Sequence, residues 1–290
     1  MNVGSDMDDH DRGLSCDLTR LLDRRGVLRL MAGAGLVTMV GCANGSDEAG
    51  PAATTTTPTA AGATPTTAGS ATTTAGTATG NATCQAIPAE TAGPFPGDGS
   101  NGPNVLNQAG VVRSDIRSSF GPPSTSAAGV PLTITLTIED RSRSCAALAG
   151  AAVYLWHCDR DGLYSLYSSG VTNQNYLRGV QEAAANGRVT FQSVFPGCYA
   201  GRWPHIHFEV YPTLASATSV TNRRATSQLA LPKEVCDTVY ATTGYGASAR
   251  NLSGLSLERD NVFSDGFSRQ LATTGGTTGA GITANLRVPV

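Results

Sequence analysis

The run Pro196-Gly197-Cys198-Tyr199-Ala200-Gly201-Arg202-Trp203-Pro204-His205-Ile206-His207-Phe208-Glu209-Val210 carries the residues best suited to chemistry in this chain. Its second half reads as a strand. On a strand, residues two apart point to the same face. His205 and His207 can therefore aim two imidazoles at one point, while Ile206 and Phe208 pack on the opposite side. A second cluster lies upstream, in Tyr154-Leu155-Trp156-His157-Cys158-Asp159-Arg160-Asp161-Gly162-Leu163-Tyr164-Ser165. It reads as a strand entering a turn at Asp161-Gly162, with Tyr164 just past it. Two imidazoles and two turn-placed tyrosines, Tyr164 and Tyr199, point to a metal. Phenolates are hard anionic donors that stabilise a trivalent ion, and imidazole suits iron, copper or zinc. No carboxylate sits within or just after the His-x-His, which argues against a two-His-one-carboxylate Fe(II) site. A three-His zinc site would have to recruit His157, which falls on the opposite strand parity from Trp156.

Five pieces of this sequence, in order and spacing, resemble the intradiol ring-cleavage dioxygenases, the family of catechol 1,2-dioxygenase and the protocatechuate 3,4-dioxygenase subunits. They are Gly150-Ala151-Ala152-Val153-Tyr154-Leu155-Trp156, Gly162-Leu163-Tyr164, Gly187-Arg188-Val189-Thr190-Phe191, Pro196-Gly197-Cys198-Tyr199 and Arg202-Trp203-Pro204-His205-Ile206-His207-Phe208. The resemblance implies non-haem Fe(III) held by Tyr164, Tyr199, His205 and His207. It implies that Arg202 stabilises negative charge on the substrate ring, that Tyr199 leaves the metal and takes a proton, and that Tyr164 stays bound. The substrate class implied is a catechol, opened by O₂ between its two hydroxyl-bearing carbons to a muconate-type diacid. Glu90-Thr91-Ala92-Gly93-Pro94-Phe95-Pro96 resembles the family's Thr-x-Gly-Pro motif and would bring Thr91, Gly93 and Pro94 to the pocket mouth. Two departures stand out. The segment between Tyr199 and His205 is short, which alters the pocket wall, and Trp203-Pro204 stands where Pro-Ala is commoner.

The elements that must position these residues read as mostly β. Leu132, Ile134, Leu136 and Ile138 alternate with Thr133, Thr135 and Thr137, the period of a half-buried strand. Ala151 to Cys158, Arg188 to Phe195, His205 to Tyr211 and Asn285 to Val290 are further strand candidates. Pro232 to Tyr240 is the best short helix, with Pro in the first turn and Val235 and Val239 four apart. The expected fold is all-β, an antiparallel β-sandwich or barrel with few short helices. The resemblance narrows it to the intradiol dioxygenase sandwich, with iron near one end. Tyr154 and Trp156 share strand parity and are expected to fill the core or line the pocket. Tyr167, Tyr176, Tyr240 and Tyr245 are rival phenols without the motif context.

The catalytic domain is expected at 84–290, long enough for one sizeable core. Residues 42–83 are dominated by Thr, Ala, Gly and Pro and hold too little large apolar surface to offset the ordering entropy of ~1–2 kcal/mol per residue. They read as a flexible stalk. Residues 1–41 read as an export signal: Arg24-Arg25 precedes an uncharged apolar stretch from Leu30 to Val40, too short for a membrane span of about 20 residues. The twin arginines point to the Tat route. Met39-Val40-Gly41-Cys42 resembles a lipobox, so Cys42 is expected to carry a lipid and to be the chain's only membrane contact. The address expected is an exported, cell-surface or extracytoplasmic lipoprotein.

The formal net charge is −2 and Lys233 is the only lysine, so no basic stripe offers itself to nucleic acid. Seven cysteines are present. Outside the cytoplasm Cys84, Cys145, Cys158, Cys198 and Cys236 would mostly pair, one being left over. A Cys158–Cys198 bridge would brace the site, because each precedes one of the tyrosines. No C-x-x-C pair favours a zinc-thiolate site. Two other classes stay open from the sequence. One is a His-x-His zinc or copper enzyme. The other is a noncatalytic β-sandwich surface lipoprotein that binds carbohydrate or adheres. The oligomeric state is not written in the sequence.

Overall fold

The computed structural model describes residues 84–122 and 125–290. The expected leader, stalk and lipidation site at Cys42 lie outside the described residues. Among the described residues, nine strands form two sheets. β1 (Pro131–Asp140), β2 (Ala146–Ala147), β5 (Arg188–Val194), β8 (Thr273–Thr277) and β9 (Gly281–Pro289) make one. In it β1 is central, flanked by β2 and β5 on antiparallel ladders and by β9 on a parallel one, with β8 at the edge. β3 (Ala152–Trp156), β4 (Arg178–Glu182), β6 (His205–Tyr211) and β7 (Ala225–Ala230) make the other, in the order β4-β3-β6-β7, antiparallel throughout. Helices α1 (Lys233–Tyr240) and α2 (Gly246–Leu252) follow β7. The fold is the expected all-β sandwich, with one parallel pair, β1 with β9. These two strands are joined through most of the domain rather than by a hairpin turn, so nothing forces them to run opposite ways.

The period-2 reading of β1 is visible in its packing. Leu132, Ile134, Leu136 and Ile138 are fully buried and meet Val189, Phe191, Val153, Leu155, Ile206 and Phe208 between the sheets. Each such side chain contributes roughly 1.5–3 kcal/mol by leaving water. β3 and β6 behave differently: every residue of both is buried. One face of their sheet packs on the first sheet. The other, carrying Tyr154, Trp156 and Tyr211, is covered by residues of the 92–111 segment, among them Phe95, Val105, Leu106 and Val111. A sheet covered on both faces has no polar side to spare, so polar groups on the second face must meet partners there.

Several elements differ from the expectation. Pro232 is the N-cap of α1, with extended ψ, rather than its first helical residue. β9 begins four residues before Asn285. β4, β7, β8 and α2 had no sequence signal. β8 is Thr-Thr-Gly-Gly-Thr and exposed, and α2 carries a glycine at its start, so neither shows apolar periodicity.

The cysteines also resolve differently. Cys84 and Cys145 form a disulfide, with Cα atoms 5.6 Å apart. Cys158, Cys198 and Cys236 are buried free thiols. Cys158 and Cys198, whose bridging would have braced the site, are not joined: the Cys158 thiol donates to Gly197 O, and the Cys198 thiol lies against Arg202 O. Each is a small apolar filler rather than a cross-link. The disulfide closes a loop of sequence separation 61, which removes about 4 kcal/mol of unfolded-state entropy. The double variant Cys84→Ser/Cys145→Ser should lose stability of that order in chemical denaturation. No loss on replacement would show that the bridge carries no folding energy.

Candidate metal centre

His205 and His207 occupy alternate positions at the start of β6, on the face away from the intersheet core. Across the ladder His207 pairs with Trp156 of β3. The Trp156 indole lies parallel to the His207 ring, with centroids 4.9 Å apart, and Tyr154 stacks on Trp156 in turn at 5.0 Å. Tyr154 and Trp156 therefore form the wall behind the imidazoles and are fully buried.

Two turns bring the tyrosines to the same place. Beyond β3, Asp159 builds the first: its Oδ1 accepts the backbone N–H groups of Asp161 and Leu163, and its Oδ2 accepts the Tyr176 hydroxyl. Gly162 sits in this turn at φ +84°, where a Cβ would lie 3.1 Å from Tyr199 Cβ. The second turn precedes β6. Gly197 N donates to Asp159 O at 2.8 Å, and a Cβ on Gly197 would stand 2.5 Å from Arg160 O. The two turns thus lie backbone to backbone, an approach only glycine permits, and Tyr164 and Tyr199 leave them toward His205.

His205 Nε2 is the hub. It stands 3.0 Å from His207 Nε2, 3.3 Å from Tyr199 Oη and 3.4 Å from Tyr164 Oη. Donors about 2 Å from a common ion, at angles between octahedral and tetrahedral, are roughly 2.8–3.3 Å apart. The three separations from His205 Nε2, 3.0 to 3.4 Å, lie in or just above that range. The tautomer also fits. His205 Nδ1 donates to Trp203 O at 2.5 Å, leaving Nε2 bare toward the other three donors. His207 Nδ1 is buried without a partner.

Burial dominates the electrostatics. It holds both imidazoles well below the ordinary histidine range, with Arg202 adding to the effect at His205 and His205 then Arg202 adding to it at His207. It pushes the Tyr164 phenol well above the ordinary tyrosine range, reinforced by Tyr199. Two neutral imidazoles and a reluctant phenol are a set that a bound cation would stabilise, because the cation favours the phenolate form.

Arg202 is buried beside them. Its Nε donates to Asp260 Oδ2 at 3.0 Å and its Nη2 to Gln228 Oε1 at 2.7 Å. Burial works against its charge, while Tyr199 and Asp260 favour it, and the net effect raises its pKa. Gln228 Nε2 donates to Thr91 O at 2.9 Å, which ties the amino-terminal segment to Arg202. Gly93, at φ +69°, would place a Cβ 3.3 Å from His207 Cε1. Pro94 follows, its carbonyl accepting from Asn101 Nδ2. Arg178 anchors the same segment. Its guanidinium donates to Phe95 O, Pro96 O, Ser165 O, Ser165 Oγ and Tyr154 Oη. It thereby links the segment to the residue after Tyr164. Arg178, Gln228 and Asp260 carried no sequence signal, because each lies in a stretch without motif or pattern.

The rival groups are engaged elsewhere. Tyr167 Oη bonds Asn101, Tyr240 Oη bonds Pro196 O, and Tyr245 Oη bonds Phe195 O. His157 Nδ1 meets Cys158 O, and its Nε2 meets Ser193 Oγ, both at 2.7 Å. With both nitrogens used it is no third ligand. Among the described residues, no group of three or more His, Cys, Asp or Glu side chains is gathered as a metal site.

The two-sheet fold is that of the intradiol ring-cleavage dioxygenases. The structure aligns with an intradiol ring-cleavage dioxygenase from Tetranychus urticae at a TM-score of 0.56 and 22% identity, over 71% of this chain and 94% of that one. A crystal structure titled as a dioxygenase, Tetur07g02040, aligns with the same figures. The dioxygenase domain of a dioxygenase–carbohydrate-binding protein fusion from Streptomyces sp. SirexAA-E aligns at a TM-score of 0.45 and 21% identity, over 71% of this chain and 98% of that one. No family model matches the chain, and no curated protein matches it.

Burial of His157 has a measurable consequence. It depresses the imidazole pKa to about 4 from 6.5, against the opposing pull of Cys158 O. The unfolded chain therefore takes up a proton near pH 6.5 that the folded chain refuses until about pH 4. The stability tied to a neutral His157 is complete above the unfolded value and is lost as pH falls between the two, by about 3 kcal/mol. His157→Gln should flatten the acid limb of the stability profile in that window. An unchanged slope would show that His157 does not titrate there.

Proposed function

We propose that this protein is an exported non-haem Fe(III) dioxygenase that opens catechol rings between the two hydroxyl-bearing carbons. One observation carries the reading: two phenol oxygens from two separate turns and the neighbouring imidazole of the same strand lie 3.0–3.4 Å from His205 Nε2. The fold is that of the protein titled an intradiol ring-cleavage dioxygenase from Tetranychus urticae. Tyr164, Tyr199, His205 and His207 would hold the iron. When bound, Fe(III) would supply a strongly Lewis-acidic centre that activates a catecholate ring toward O₂.

The residues of the chain divide the remaining work. Tyr164 is 2% exposed and ringed by Phe95, Tyr199 and His207, so it is suited to stay in place. Tyr199 is only partly buried and is the better candidate to swing outward and take a substrate hydroxyl proton at its phenol oxygen. Arg202, fixed by Asp260 and Gln228 beside both tyrosines, is placed to meet negative charge developing on the ring. Thr91, Gly93 and Pro94 would form the pocket mouth. Export and lipid attachment at Cys42 belong to the same proposal and rest on the leader sequence.

Purified protein loaded with iron should be red-brown from tyrosinate-to-Fe(III) charge transfer and should convert catechol to cis,cis-muconate. A yellow semialdehyde, a requirement for Fe(II), or a colourless zinc-loaded protein would overturn the reading. Arg202→Ala should retain iron and colour while losing about 10²–10³-fold in kcat; loss of iron instead would make Arg202 structural. Mass spectrometry of the membrane fraction should find a diacylated Cys42, and a soluble mature form starting elsewhere would remove the anchor alone.

A further inference from the structure

One carboxylate reaches two of the residues at this centre. Asp260 follows the 3₁₀ turn Leu257–Arg259 and is 2% exposed. Its Oδ2 accepts Arg202 Nε at 3.0 Å and Trp203 N at 2.7 Å. Its Oδ1 accepts the backbone N–H groups of Val262 at 2.9 Å and Phe263 at 3.2 Å. Four donors on one carboxylate use its whole accepting capacity. Trp203 is also held by its indole, which donates to Leu231 O at 2.8 Å, and it is followed by Pro204, whose ring limits the chain further. Its carbonyl then takes His205 Nδ1 at 2.5 Å. A continuous path thus runs from Asp260 through Trp203 to the imidazole, and a second runs directly to the guanidinium.

We propose that Asp260 is a positioning residue that sets both the aim of Arg202 and the tautomer of His205. The inference rests on the metal-centre reading for its catalytic meaning. Without the carboxylate, Arg202 Nε and Trp203 N lose a common acceptor. The guanidinium then keeps only Gln228 among these two anchors and can rotate about that contact. The Trp203 carbonyl loses its backbone anchor and keeps only the indole contact and the Pro204 ring, so the His205 ring has more freedom to place its proton on Nε2, the nitrogen that faces the other donors. An asparagine cannot restore the arrangement. Its amide offers one oxygen where four N–H groups converge on two, and its NH₂ would face donors. A carboxylate that only stabilised the fold would leave the His205 ring unmoved.

The test uses the full chain. In metal-free wild-type protein, ¹⁵N NMR of the histidine side chains should show His205 protonated at Nδ1 and bare at Nε2. Asp260→Asn should shift His205 toward the other tautomer while His157, held by Ser193 and Cys158, stays unchanged. After iron loading, the same variant should shift the tyrosinate charge-transfer band and lower kcat by about 10–100-fold, the usual effect of removing an outer-sphere partner. Asp260→Glu, which keeps the charge but moves the oxygens, should give an intermediate His205 signal. It decides the question if the asparagine variant does not fold. An unchanged His205 tautomer together with wild-type kcat in a folded variant would overturn the proposal. Failure of the wild type to bind iron or cleave catechol would remove the functional reading, yet the metal-free NMR comparison would still decide whether Asp260 orients His205.

Discussion

The geometry of the centre depends on the register in which β3 pairs with β6. Trp156 stands opposite His207 and Tyr154 opposite Glu209. A slip of one residue would turn His205 and His207 into the intersheet core and bring Ile206 and Phe208 out beneath the tyrosines. That exchange is prevented from both sides. Ile206, Phe208 and Val210 fill the space between the sheets, and the Trp156 indole lies flat on His207. The hydrophobic pattern of one strand therefore aims its imidazoles. The turns leaving β3 and entering β6 then have little freedom, because Gly162 and Gly197 press them together.

Burying this much polarity requires compensation at every group. Arg178, 1% exposed, meets carbonyls and hydroxyls at Phe95, Pro96, Ser165 and Tyr154. Glu209, two residues beyond His207, is pushed up to about 7 by burial although the Tyr211 hydroxyl donates to it at 2.6 Å. Arg202 has Asp260 and Gln228. His205 Nδ1 has the Trp203 carbonyl, whereas His207 Nδ1 is buried without a hydrogen-bond partner. Tyr164 and Tyr199 carry O–H groups 3.3–3.4 Å from the bare His205 Nε2, so the protonated phenols can meet the imidazole in the absence of any cation.

The 84–111 segment contributes more than a lead into the first strand. The disulfide fastens its start beside β2. Arg178 and Gln228 then hold its middle, and Phe95 packs on Tyr164 with ring centroids 5.0 Å apart. It roofs a sheet face that would otherwise expose Tyr154, Trp156 and Tyr211 to water.

What could be read without coordinates was local. Alternation in 132–138 announced β1, and the spacing of His205 and His207 announced two side chains on one face, because period 2 is a property of a strand's own backbone. The pairing of each tyrosine with a glycine-bearing turn was visible in the same way. Other features depended on contacts between distant segments. Cys84 chose Cys145 and left Cys158 and Cys198 as thiols, because connectivity follows from which Cα atoms the fold brings together. His157 was withdrawn from any ligand set by Ser193, and Asp260 was recruited to Arg202 across 58 residues. No periodicity links such pairs. Sequence determined which side chains could share a face; only the packing of the two sheets decided which of them would meet, and which would be spent holding the others in place.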